Sequence, residues 1–169
     1  MKEILNLQSD NYEKTFVDIY LPETEKFQTV VFFHGGGLEH GIRRNEIIVE
    51  VATALTKAGY AFTSVGYRLY PNAKFPDFLV VCAKATAFVK NFVQDFGGNG
   101  ELIVSGQSAG AWISLMLCLN KTFLANEGID SEEVKGWFID SAQTTSHFNV
   151  LAQERGENKL AQRIDEFAP

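Results

Sequence analysis

The segment Gly106-Gln107-Ser108-Ala109-Gly110 constrains this chain more than any other. It follows a short apolar run at 102–105 and leads straight into an apolar stretch at 109–119. A strand must therefore hand over to a helix through one sharp bend, and only small residues tolerate the close backbone contacts that such a bend makes. Gly106, Ala109 and Gly110 meet that demand. A serine at the apex projects its hydroxyl above the sheet, and the next N–H, on Ala109, sits at a helix N-terminus with no intrahelical acceptor. The five-residue pattern alone is also compatible with a glycine-rich turn that has no chemical role.

A second feature narrows the choice. His34-Gly35-Gly36-Gly37 directly follows the apolar run 30–33. Three consecutive glycines leave backbone N–H groups uncovered and let a bound atom approach closely. A phosphate-binding loop is excluded, because no Gly-Lys-Ser/Thr follows and no Gly-X-Gly-X-X-Gly opens a helix. The two motifs together make sense as acyl-transfer machinery. Ser108 is then the candidate nucleophile, and the N–H groups of Gly36, Gly37 and Ala109 are candidate donors to the oxyanion.

The rest of the chain reads as one α/β domain over 1–169. Phe16–Leu21 alternates as a strand, and 30–33, Ala61–Val65, 102–105 and 137–140 are short apolar runs typical of strands covered on both faces. Between them, Asn45 precedes a helical stripe of Ile48, Val51, Ala52 and Leu55 that ends at Gly59. A longer helix is expected over 77–95, a buried one over 109–119, and a last amphipathic stretch through Leu160, Ala161, Ile164 and Phe167. Strand and helix alternate, so a mostly parallel sheet flanked by helices is predicted.

Composition excludes several function classes. With 46% hydrophobic residues and 14 Phe against 4 Pro, the chain is neither disordered nor low-complexity. Fifteen Lys and Arg against 21 Asp and Glu give a net charge of −6, which disfavours nucleic acid as a partner. No apolar run is long enough to span a membrane, and the first residues lack a secretory apolar core. The two cysteines, Cys82 and Cys118, lie apart in apolar helical patterns and read as buried thiols of a cytoplasmic protein. No metal-ligand spacing and no cofactor motif is present, so neither a metal nor a cofactor is expected.

A third block, Tyr67-Arg68-Leu69-Tyr70-Pro71 with Phe75-Pro76, joins the two motifs above. In this order the three blocks resemble the α/β-hydrolase fold, and within it the hormone-sensitive-lipase-like esterases and their kynurenine-formamidase-like relatives. The likeness runs from about residue 16 to 141. It implies a carboxylesterase acting on a small ester, with Ser108 as nucleophile and Gly36, Gly37 and Ala109 as the oxyanion hole. It also implies that His34 and Gly35 support the oxyanion loop, His34 not being the general base, and that the Tyr67–Arg68 segment shapes the fold near the site. An N-formyl amide remains an alternative substrate.

The resemblance also implies a triad in the order Ser, Asp or Glu, then His, and about eight strands. Here five or six strands are expected, and the only histidine after Ser108 is His147. The chain is therefore expected to be the N-terminal two-thirds of a longer protein, lacking the C-terminal strands and the acid and base of the triad. A compact triad of Ser108, Asp140 and His147 is the competing arrangement. The acids around Asp130, Glu132 and Glu133 read instead as the solvated start of a helix capped by Ser131. Two other functions stay open: a non-catalytic binding protein that keeps the pocket, and an acyltransferase with the same acyl-enzyme.

Overall fold

A computed structural model describes residues 1–11, 15–142, 144 and 166. Six strands form one mixed sheet: β1 (Lys2–Gln8), β2 (Phe16–Leu21), β3 (Phe27–Phe33), β4 (Ala61–Val65), β5 (Gly98–Gln107) and β6 (Gly136–Asp140). Their order across the sheet is β1-β2-β4-β3-β5-β6. β1 and β2 enter antiparallel, and β4, β3, β5 and β6 run parallel to one another. Four helices connect them: α1 (Glu46–Lys57), α2 (Asp77–Phe92), α3 (Ala109–Leu119) and the short α4 (Thr122–Ala125). A single 3-10 turn at Val93–Phe96 extends α2. The parallel sheet flanked by helices expected from the sequence is thus the α/β-hydrolase arrangement.

The crossovers explain why the helices take opposite faces. From β3 the chain steps one way to β4, then returns across β3 to β5, and crossovers of one hand must then lie on opposite sides. Alternation along β3 serves both layers. Val31 and Phe33 pack with α2 and α3 around Phe78, Cys82, Ile113 and Leu117. Val30, with Phe32 at the margin, packs under α1 with Tyr20, Ile48, Ala52 and Phe62.

Several elements differ from the expectation. β1 was not anticipated, because Lys2–Gln8 is half-exposed and carries no run of apolar residues; antiparallel pairing to β2 holds it. In α1 the buried line is Ile48, Ala52 and Thr56, whereas Val51 is 42% exposed on the flank that borders an open cleft. Asn45 does cap this helix, its side chain accepting from the Ile48 N–H at 2.9 Å. The helix expected after Ser131 is a turn instead. Glu132 N–H donates to Asp130 Oδ1, and Lys135 N–H already donates to the Leu102 carbonyl, so the chain re-enters the sheet before a helix can form. Cys82 is fully buried, but Cys118 is only half-buried. The stretch from Leu160 to Phe167, Glu166 apart, lies outside the described residues, as does His147. Among the described residues no helix is long and apolar enough to cross a membrane.

Candidate active site

The strand order reverses between β3 and β5, and a crevice at the C-terminal ends of such a pair is where open α/β sheets bind ligands. The two motifs leave the sheet there, the glycine loop after Phe33 and the serine turn after Gln107. Phe33 pairs with Gly106 across the parallel ladder, which sets the two exits side by side.

Ser108 occupies the bend with φ 53° and ψ −114°, a conformation costly for a residue with a side chain. The turn is enforced by backbone contacts. A Cβ on Gly106 would lie 2.2 Å from the Gly110 carbonyl oxygen, and one on Gly110 would lie 2.0 Å from the Phe33 carbonyl oxygen. Neither residue can carry a side chain without moving main chain. On the far side, Ser108 N–H donates to the Asp140 carbonyl at 2.8 Å, and its carbonyl accepts from Trp112 N–H at 2.9 Å. The serine is locked between β6 and the first turn of α3.

The glycine loop lies against it. A Cβ built on Gly35 would sit 3.3 Å from the Cβ of Ser108, closer than ordinary van der Waals contact, so the Gly35 backbone lies directly beside the serine. Gly36 and Gly37 have φ of 122° and 62°. The Gly36 carbonyl turns into its own loop, accepting from Glu39 and His40 N–H groups at 3.1 and 2.9 Å. Among the described residues the N–H groups of Gly36 and Gly37 donate to no protein acceptor, and Ala109, as first residue of α3, has no intrahelical one.

His34 is buried beneath the loop. Its Nδ1 donates to the Gly35 carbonyl at 2.7 Å, its ring stacks on Tyr67, and the Tyr67 hydroxyl donates to the His34 carbonyl at 2.7 Å. Burial lowers the His34 pKa, the hydrogen bond to Gly35 raises it in part, and the charge of Arg43 lowers it further. Burial also pushes the Tyr67 phenol well up. Tyr67 is 2% exposed and so out of reach of a substrate, and Arg68 turns to the Asn72 carbonyl and to Asp77.

Asp140 ends β6 beside Ser108, but its Oδ1 accepts from the Ser141 hydroxyl. The third member of the compact triad, His147, lies outside the described residues. A cleft of about 830 Å³ opens from Ser108, Gly35, Gly36 and Asp140 along the sheet face beside α1. Val30, Phe32, Val51, Leu55, Ile103 and Phe138 line it, and among the described residues no lysine or arginine does. Among the described residues no three His, Cys, Asp or Glu side chains gather as a metal site requires.

The BD-FAE family model matches residues 17–162, a span that holds both motifs and the Tyr67 block. The chain belongs to the BD-FAE family. A rice (Oryza sativa subsp. japonica) probable isoprenylcysteine alpha-carbonyl methylesterase is 27% identical over 89% of the chain and 34% of the relative. Esterase LipC of Mycobacterium tuberculosis is 30% identical over 55% of the chain and 23% of the relative. Among solved structures, an esterase of Pyrobaculum calidifontis aligns with a TM-score of 0.65 at 26% identity, covering 82% of the chain and 43% of that protein. The BD-FAE chain thus spans about a third of the rice relative and less than half of the Pyrobaculum enzyme. Its fold and family are those of esterases and lipases.

Two features of the site were not anticipated from the sequence. One is Gly41, whose Cβ would lie 2.2 Å from the Gly35 carbonyl oxygen. The other is the Asp18–Arg43 pair described below. Each depends on residues distant in sequence from the motif it touches, and neither carries a local pattern.

Proposed function

We propose that this protein is a serine carboxylesterase in which Ser108 attacks the carbonyl of a small, uncharged ester and forms an acyl-enzyme. The observation that carries the reading is the close approach of the Gly35 backbone to Ser108, with the Gly36, Gly37 and Ala109 N–H groups left, among the described residues, without protein acceptors. As the Ser108 oxygen bonds to the carbonyl carbon, the carbonyl oxygen becomes negative, and these donors hold it. Removing one such donor typically costs about 3 kcal/mol of transition-state stabilisation. The C–O bond to the alcohol then breaks, the alcohol leaves with a proton, and water cleaves the acyl-serine.

The base that takes the serine proton is assigned outside the described residues. His34 is unsuited, since its Nδ1 is committed to Gly35 and its ring is packed on Tyr67. The cleft beside Ser108, lined mostly by apolar side chains and by no lysine or arginine among the described residues, favours neutral acyl or alcohol groups over anionic ones.

A fluorophosphonate probe tests this in the full-length protein. Labelling that Ser108→Ala abolishes is the expected result. Unreactive full-length protein would favour the binding-protein reading. Product analysis with added alcohol separates hydrolysis from acyl transfer to an alcohol.

A further inference from the structure

The glycine loop does not end at Gly37. It continues to Asn45, and its far end is fixed by a contact remote from the site. Gly41 folds back over the start of the loop, where its Cβ would meet the Gly35 carbonyl oxygen at 2.2 Å and His34 Nδ1 at 2.5 Å. Two residues later, Arg43 Nε lies 3.1 Å from Asp18 Oδ2, close enough for an ion pair though not aligned for a hydrogen bond. The Asp18 side chain is 2% exposed, a carboxylate placed inside the sheet on β2. Its other oxygen accepts from Asn6 N–H at 2.8 Å. Arg43 also donates through Nη2 to Asn6 Oδ1, and its guanidinium lies 5.5 Å from the centre of the Phe16 ring. Asn6 has φ 59° at the irregularity in the β1–β2 register, so the edge hairpin is shaped around this arginine.

From this geometry we infer that Arg43, held by the buried Asp18, is a positioning residue for the oxyanion loop: it pins Gly41 against His34 and Gly35 and so fixes the direction of the Gly36 and Gly37 N–H groups. The inference rests on the esterase reading for its catalytic meaning, but the loop anchoring stands independently of it. A buried carboxylate paired with a charged group is a strong tether, because leaving it unpaired is costly. The neighbouring Arg44 makes a natural control, as it pairs with the partly exposed Glu3 at 3.0 Å.

The test is amide hydrogen exchange of the peptide covering 34–41, with phosphonate labelling of Ser108 in parallel, in Arg43→Met, Arg43→Lys and Arg44→Met variants of the full chain. Arg43→Met is expected to speed exchange at 34–41 by about tenfold or more and to slow the bond-forming step of labelling, with probe affinity unchanged. Exchange in β3 and β5 should stay at the wild-type rate. Arg43→Lys, which keeps the charge but not the fork, should fall between, and Arg44→Met should match wild type. If Arg43→Met fails to fold, Arg43→Lys carries the test. Wild-type exchange at 34–41 in a folded Arg43 variant, or equal acceleration in Arg44→Met, overturns the inference. Wild-type protein that takes no label overturns the esterase reading instead, and exchange still decides the anchoring.

Discussion

His34 and Tyr67 form a closed pair under the glycine loop: their ring centroids are 4.4 Å apart with planes 14° from parallel, and the tyrosine hydroxyl donates back to the histidine carbonyl. The link ties the end of β3 to the segment after β4. Tyr67→Phe keeps the stack and removes only the donor. Leaving the buried carbonyl unpaired costs about 1–3 kcal/mol. A Tm lowered by several degrees is expected in thermal unfolding; an unchanged Tm would show that the bond carries no weight.

Protonation of His34 is disfavoured in the folded chain, mainly by burial. Its folded pKa lies below the ordinary 6.5, so the unfolded state takes up the proton first as pH falls. The stability contributed by neutral His34 is present in full above that value and is lost as pH drops through the lower folded value. Urea unfolding of wild type and His34→Gln across that range checks this. The wild-type loss on acidification should exceed the variant's, and parallel curves would contradict it.

Gly110 and Gly37 should respond to alanine to very different degrees. In Gly110→Ala the new methyl would meet the Phe33 carbonyl oxygen at 2.0 Å, and the site can relax only by moving β3 or α3. At Gly37 nothing lies within 4 Å, and the cost is the positive φ alone, roughly 1–2 kcal/mol. Gly110→Ala is expected to lose the native fold or several kcal/mol of stability, a larger loss than in Gly37→Ala. Chemical denaturation of both variants ranks them, and equal stabilities would refute the close contact.

Asn45→Ala removes the side-chain acceptor for the Ile48 N–H at the start of α1. A loss of about 1 kcal/mol is expected from equilibrium unfolding. No loss would mean that water replaces the cap without cost.

Much of this architecture was legible because its signals are local. The strand Ala61–Val65, the Asn45 cap and the Ser108 bend each announce themselves within a few residues. The juxtaposition of His34–Gly37 with Ser108 also followed from motif order. What stayed hidden depends on partners far along the chain. β1 exists through pairing with β2 rather than through its own hydrophobicity, and Asp18 gave no sign of its role until Arg43 was placed beside it. Ser131 misled for a related reason. It carries a capping residue's chemistry, yet the tether from Lys135 to Leu102 leaves the following residues no room to wind.

The most direct test is a crystal structure of the phosphonate-treated full-length protein. The account predicts a bond from Ser108 Oγ to phosphorus, with the phosphoryl oxygen about 2.7–3.1 Å from the N–H groups of Gly36 or Gly37 and of Ala109. An adduct on another residue, or a phosphoryl oxygen turned away from those donors, would contradict it.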